Sequence, residues 1–201
     1  MNLIRTTLTW CALAVIIAVP VIAAATSPLL AWRDPIYIAA GFAGIIAMVL
    51  LFLQPLLIGG LLPGLPAPLN RNIHRWVGSG LILAVVIHVA GLWVTSPPDV
   101  VDALLFMSPT PFSSWGVIAM WTAFGAALVI IFRRRMPAQF WRLGHTVLVA
   151  ITVVGSVVHA LLIEGTMEAY SKSALCGLVL VVTIMAVTKL RVWTVLVRRR
   201  N

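Results

Sequence analysis

Six long apolar runs leave this chain few ways to fold. They are Leu8–Ala25, Ile36–Ile58, Trp76–Val94, Trp115–Phe132, His145–Ile163 and Ala174–Val187. Each is bounded by charge or by turn punctuation such as Ser27-Pro28, Pro63-Gly64, Pro97-Pro98 and Pro109 to Pro111. A run of roughly 20 apolar residues spans a bilayer as a helix. In lipid every backbone polar group must be paired within the protein, so only helices and closed barrels cross. A barrel would show short alternating segments instead. The expected fold is an all-α integral membrane protein, a six-transmembrane-helix bundle forming a single domain over 1–201.

Composition excludes the soluble alternative. The 201 residues are 62% hydrophobic and 9% charged, with a mean hydropathy of +1.09, whereas a soluble domain carries about 25% charged residues. The surplus of 14 Lys+Arg over 5 Asp+Glu gives a net charge of +9. Those bases stand in short clusters between the apolar runs, a pattern that fits lipid head groups and topology rather than nucleic acid.

The charges also orient the chain. With the N-terminus inside, the cytoplasmic segments hold Arg5, Arg71, Arg75, Arg133, Arg134, Arg135, Arg142, Lys189, Arg191, Arg198, Arg199 and Arg200, which is 12 of the 14 bases. Only Arg33 and Lys172 fall outside, together with all five acids, Asp34, Asp99, Asp102, Glu164 and Glu168. Such a bias over short loops sets orientation, so both termini are expected in the cytoplasm, in a bacterial inner membrane. The first 25 residues imitate a signal peptide, but their apolar stretch is long enough to span and the alternation needs it as helix one. Cys11 and Cys176 lie in apolar runs without a CxxC, so they read as packing residues rather than redox or metal groups.

No Asp, Glu, Lys or Arg lies near the centre of a span, which disfavours proton- or ion-coupled transport. Four histidines are present: His74 and His88 belong to the third span, His145 and His159 to the fifth. Each pair is 14 residues apart, about 40° short of four helical turns and about 21 Å along the axis. Both members of a pair therefore face nearly the same way. The two spans run in the same direction, so His74 shares a level with His145 and His88 with His159. Two facing helices then present two stacked His–His pairs, a donor set suited to the axial ligands of two b-type haems in a bundle core. Zinc or copper fits less well, because each level offers only two histidines.

Gly78, Gly80, Gly91, Gly144 and Gly155 near these histidines suit either a porphyrin's bulk or close helix packing. Arg71, Arg75 and Arg142 sit at the inner level, where they are candidates for pairing with haem propionates as well as topology determinants. Trp76, Trp93, Trp115 and Trp141 at span ends read as an interfacial belt. Gly78-Ser79-Gly80 imitates a hydrolase elbow without an acid at that depth.

His74-Arg75-Trp76-Val77-Gly78 followed by His88, and Leu143-Gly144-His145 followed by His159, resemble the ferric-reductase-like transmembrane domain. That superfamily includes ferric reductases, NADPH oxidase membrane domains and the haem-binding membrane subunit of the bacterial methionine sulfoxide reductase system. The resemblance is strongest from about Arg71 to Glu164. It implies haem b ligation by His74 with His145 and His88 with His159, and electron flow from the cytoplasmic side outward. Ferric reductases and NADPH oxidases carry a C-terminal FAD and NAD(P)H-binding domain. With this chain ending at Asn201, the expected donor is a separate cytoplasmic flavin reductase or a quinol.

The expectation is therefore an electron-transfer oxidoreductase component passing electrons through two haems to an outer acceptor: a protein, a metal ion such as ferric iron, a quinone or oxygen. Bound flavin is possible without being required. A non-catalytic haem carrier or sensor predicts the same spectrum with slow reduction, and a neutral-solute transporter predicts no haem.

Overall fold

The computed structural model describes residues 3–165 and 167–190; Arg191, Arg198, Arg199 and Arg200 of the expected cytoplasmic cluster, and Asn201, lie outside the described residues. Among the described residues every regular element is helical. The helices are α1 (Leu3–Ala25), α2 (Pro35–Ile58), α3 (Ala67–Thr95), α4 (Pro97–Leu104), α5 (Pro111–Phe132), α6 (Ala138–Leu162) and α7 (Ala169–Leu190). Six of them are long and apolar enough to cross a membrane. The protein is an all-α integral membrane protein, as its apolar runs require.

Helix starts follow from local chemistry. Asp34 accepts from the backbone N–H groups of Ile36 and Tyr37 at 2.7 and 3.3 Å, capping α2 ahead of Pro35. The carboxylate of Glu168 accepts from Tyr170 and Ser171 N–H, both at 2.7 Å, at the start of α7. The α2–α3 turn uses Gly60 (φ +58°) and Gly64 (φ +83°), left-handed positions that favour glycine.

The long helices start ahead of the apolar runs read from sequence, most of all at the third span. The third span was expected from Trp76, but α3 begins nine residues earlier at Ala67, because polar Asn70, Arg71 and Arg75 lower hydropathy without breaking the helix. His74 thus lies within the same continuous helix as His88. The link between α3 and α5 contains the short α4, which opens on Pro97-Pro98, first-turn positions where no N–H is needed.

The bundle is built from two antiparallel hairpins, α2–α3 and α5–α6, which are intimately packed within themselves and approach each other directly only slightly. Helix α7 bridges them by packing against both α2 and α6, while α1 leans on α2 and α7 from outside. The core runs through α2 and α7, where Phe52, Leu57, Leu175, Cys176 and Val179 are buried with Val153 and Val157 of α6. At one end of α7 the Lys189 ammonium donates to the carbonyl of Gly59, just past the C-terminus of α2, at 2.7 Å, where a cation meets the negative end of the helix dipole.

The alternating helices gather Arg5, Arg71, Arg75, Arg133–Arg135, Arg142 and Lys189 at one end, the basic end. The other, acidic end holds Arg33, Lys172 and the five carboxylates.

Candidate functional site

All four imidazoles face the seam between the two hairpins, and each is held in the same manner. The Nδ1 of His88 meets the carbonyl of Ala40 at 2.7 Å and that of His74 meets Gln54 at 3.3 Å, both across the α2–α3 hairpin. In the other hairpin, His159 meets Phe112 at 2.8 Å and His145 meets Ala126 at 3.2 Å. A carbonyl can only accept, so each Nδ1 donates its proton, and each Nε2 is left as the basic nitrogen. The acceptors repeat the histidine spacing: Gln54 and Ala40, like Ala126 and Phe112, are 14 residues apart on their own helices.

The two hairpins bring these rings together in pairs. The rings of His88 and His159 have centroids 6.4 Å apart and planes at 79°. His145 lies within electrostatic reach of His74 at the other level. Two imidazoles presented this way, one from each hairpin, would suit the ligation of a haem iron between them. The hairpins touch each other only slightly, which leaves lateral room for a plate-shaped ligand. A cavity of about 460 Å³ opens beside the pair, lined by His88, His159, Met48, Met120, Leu81 and Thr152 among others, within the usual cofactor-pocket range of about 300–1,000 Å³. Among the described residues no three His, Cys, Asp or Glu side chains converge on a metal position, so a bare ion would find only two ligands per level. The donor set fits haem.

Residues 39–156 match the family model for the ferric reductase like transmembrane component, more than half of the chain. The chain belongs to this family. The match takes in His74, His88 and His145 and stops three residues before His159. No curated protein and no solved structure matches it.

In this ferric-reductase-like domain two glycines overlooked in the sequence set the acidic-end pair. A Cβ on Gly44 would lie 3.0 Å from His88 Nδ1, and one on Gly116 would lie 2.7 Å from His159 Nδ1. Both stand four residues after the acceptor carbonyl, at Ala40 and Phe112. A helical carbonyl points towards residue i+4, so removing that side chain opens a lateral path for the imidazole. At the basic end the i+4 residues are Ile58 and Ile130, and the bonds are longer, 3.3 and 3.2 Å. The signal was present as a repeat: Gly44-Ile45-Ile46-Ala47-Met48 recurs 72 positions later as Gly116-Val117-Ile118-Ala119-Met120.

The glycines named from sequence do other work. Cβ atoms on Gly91 and Gly155 would approach Ala40 Cβ at 2.8 Å and Ala119 Cβ at 3.1 Å, so both serve close packing within a hairpin. Gly78 and Gly80 face Gln54 and Leu50, and Gly144 has nothing within 4 Å. Arg71 and Arg75 are exposed in the first turns of α3. Arg142 is exposed near the start of α6, its guanidinium 5.6 Å from the ring of Trp141. Ser79 donates to the Arg75 carbonyl at 3.1 Å as an ordinary helical serine, which removes the hydrolase-elbow reading.

Proposed function

We propose that this domain is a transmembrane b-type cytochrome that carries electrons between a donor at its basic end and an acceptor at its acidic end. The observation that supports it most is the set of four imidazoles arranged as two opposed pairs, each with Nδ1 tied to a backbone carbonyl. Haem b, when bound, supplies a one-electron iron couple at each level. The histidines hold it: His74 with His145 at the basic level, and His88 with His159 at the acidic level. The carbonyls of Gln54, Ala126, Ala40 and Phe112 fix each tautomer, orient the ring and raise the basicity of Nε2. Apolar walls from Met48, Leu81 and Met120 exclude water and keep the local dielectric low. Arg71, Arg75 and Arg142 are assigned to propionates at the basic end, by charge-assisted hydrogen bonds.

The basic end faces the cytoplasm under the positive-inside rule, in a bacterial inner membrane. The donor there is a separate flavin reductase or a quinol. The acceptor on the other side is a protein, a metal ion or a quinone.

A dithionite-reduced minus oxidised spectrum of the detergent-purified protein, with a pyridine haemochrome assay, tests this directly. About two haems b per chain are expected. A single haem would demote one level to structure, and none in protein from haem-replete cells would overturn the reading.

A further inference from the structure

The acidic-end mouth of the cavity holds a cation that the histidine ligands do not explain. Lys172, in the first turn of α7, is half-buried and lines the same cavity as His88 and His159. Its ammonium donates to the carbonyl of Ile163, at the end of α6, at 2.8 Å. That bond uses one of its three protons. No carboxylate partners it among the described residues. Asp99, on the same cavity, accepts from the Ser96 hydroxyl at 2.6 Å. Glu168, one turn before Lys172, accepts the two N–H groups that start α7, and Glu164 is exposed. The same cavity is also lined by Ser108, Thr110 and Ser113, whose hydroxyls lie 2.6–3.2 Å from one another. The rest of the lining is mostly apolar. A half-buried ammonium with two protons unused at the edge of an apolar cavity is placed to receive an anion.

We propose that Lys172 is an anion anchor, holding a carboxylate at the mouth while the body of its owner lies in or against the cavity beside His88 and His159. Two sources present that chemistry there. One is an acid side chain of the porphyrin held by that pair, and the other is a carboxylate-bearing electron acceptor arriving from the acidic side. The inference rests on the cytochrome reading, and the two fail separately. Wild-type protein without haem sinks both, whereas haem-loaded protein indifferent to Lys172 sinks only the anchor.

The test is Lys172→Gln, which keeps a donor for the Ile163 carbonyl and removes the charge, with Lys172→Arg as the charge-restoring control. For a porphyrin carboxylate, Lys172→Gln lowers the midpoint potential of the haem that is lost in His88→Ala, because a positive charge opposing oxidation is gone. The other haem does not shift, and Lys172→Arg recovers the potential. For an acceptor carboxylate, both potentials hold, and the KM for ferric citrate rises several-fold while that for hexaammineruthenium(III) stays constant. Unchanged potentials together with an unchanged ferric citrate KM overturn the proposal. Should Lys172→Gln fail to accumulate, the wild type still decides, since Lys172 and Lys189 are the only two lysines and lie at opposite ends. Peptide-mapped labelling with an amine-reactive ester is slowed at Lys172 by haem loading or by ferric citrate if the anchor exists. Equal labelling of haem-depleted, haem-loaded and citrate-treated protein overturns it.

Discussion

At the scale of single residues, the decisive atoms are four Nδ1 nitrogens and the carbonyls that face them. His88→Ala is expected to remove the acidic-end haem and leave the other, and His145→Ala the reverse. Haem stoichiometry and the spectrum of each variant check this, and four single variants that all lose one common cofactor would defeat the pairing. Gly116→Ala drives a methyl to 2.7 Å from His159 Nδ1, and both neighbours are fixed by their helices. The imidazole must leave the Phe112 carbonyl, and acidic-end haem affinity is expected to fall by roughly 10–100-fold, as when other outer-shell partners of metal ligands are lost. Gly44→Ala, at 3.0 Å, should act in the same direction but less, and Gly144→Ala, in open space, should do nothing; haem titration of the three variants ranks them. The histidines were legible because they are rare, deep and equally spaced. Their acceptors were not, since a backbone carbonyl has no signature in the sequence. Gly44 and Gly116 looked like any helical glycine until the imidazole beside each was known.

At the scale of elements, α7 is the part whose role was least visible. Its hydropathy announces a span, but nothing in Ala174–Val187 says that it braces two hairpins. Lys189, read from sequence only as a topology charge, ties α7 to the end of α2 through Gly59. Lys189→Met is expected to destabilise the bundle by about 1.5–3 kcal/mol, the usual range for a hydrogen bond from a charged donor, measured by denaturant titration of the purified protein. At the other end of α7, the N–H groups of Ser171 and Tyr170 hold the Glu168 carboxyl below its ordinary range. A depressed folded-state pKa means that this stabilisation is present above the unfolded value, about 4.3, and is lost as pH falls through the folded one. The first turn of α7 should therefore loosen on acidification below about pH 4. Amide exchange at Tyr170 and Ser171, normalised to intrinsic rates, reads it, and Glu168→Gln should abolish the pH dependence. The extent of α3 was misjudged for a plain reason: Arg71 and Arg75 interrupt an apolar run without interrupting a helix.

At the scale of the whole molecule, the charge asymmetry predicts orientation. Alkaline phosphatase fusions should be active after the α1–α2 and α3–α5 links and inactive after the α2–α3 and α5–α6 links; the opposite pattern would reverse the direction of electron flow proposed above. The six-span count and the two histidine levels were readable because lipid imposes helices and helices impose a period. The likeness of the two hairpins was harder to see, for only the short stretches from Gly44 and Gly116, identical at four of five positions, keep it in clear text. Each imidazole pair draws one member from each hairpin, and that has a consequence for biogenesis. The ribosome completes α2–α3, with half of both sites, long before α5–α6 exists. On the cytochrome reading, neither site would capture its haem until His145 and His159 had been inserted and the later hairpin had swung alongside the earlier one. Haem arrival would then rivet two independently inserted halves, and a chain that never received it would keep an open seam, exposed to the proteases that patrol the membrane.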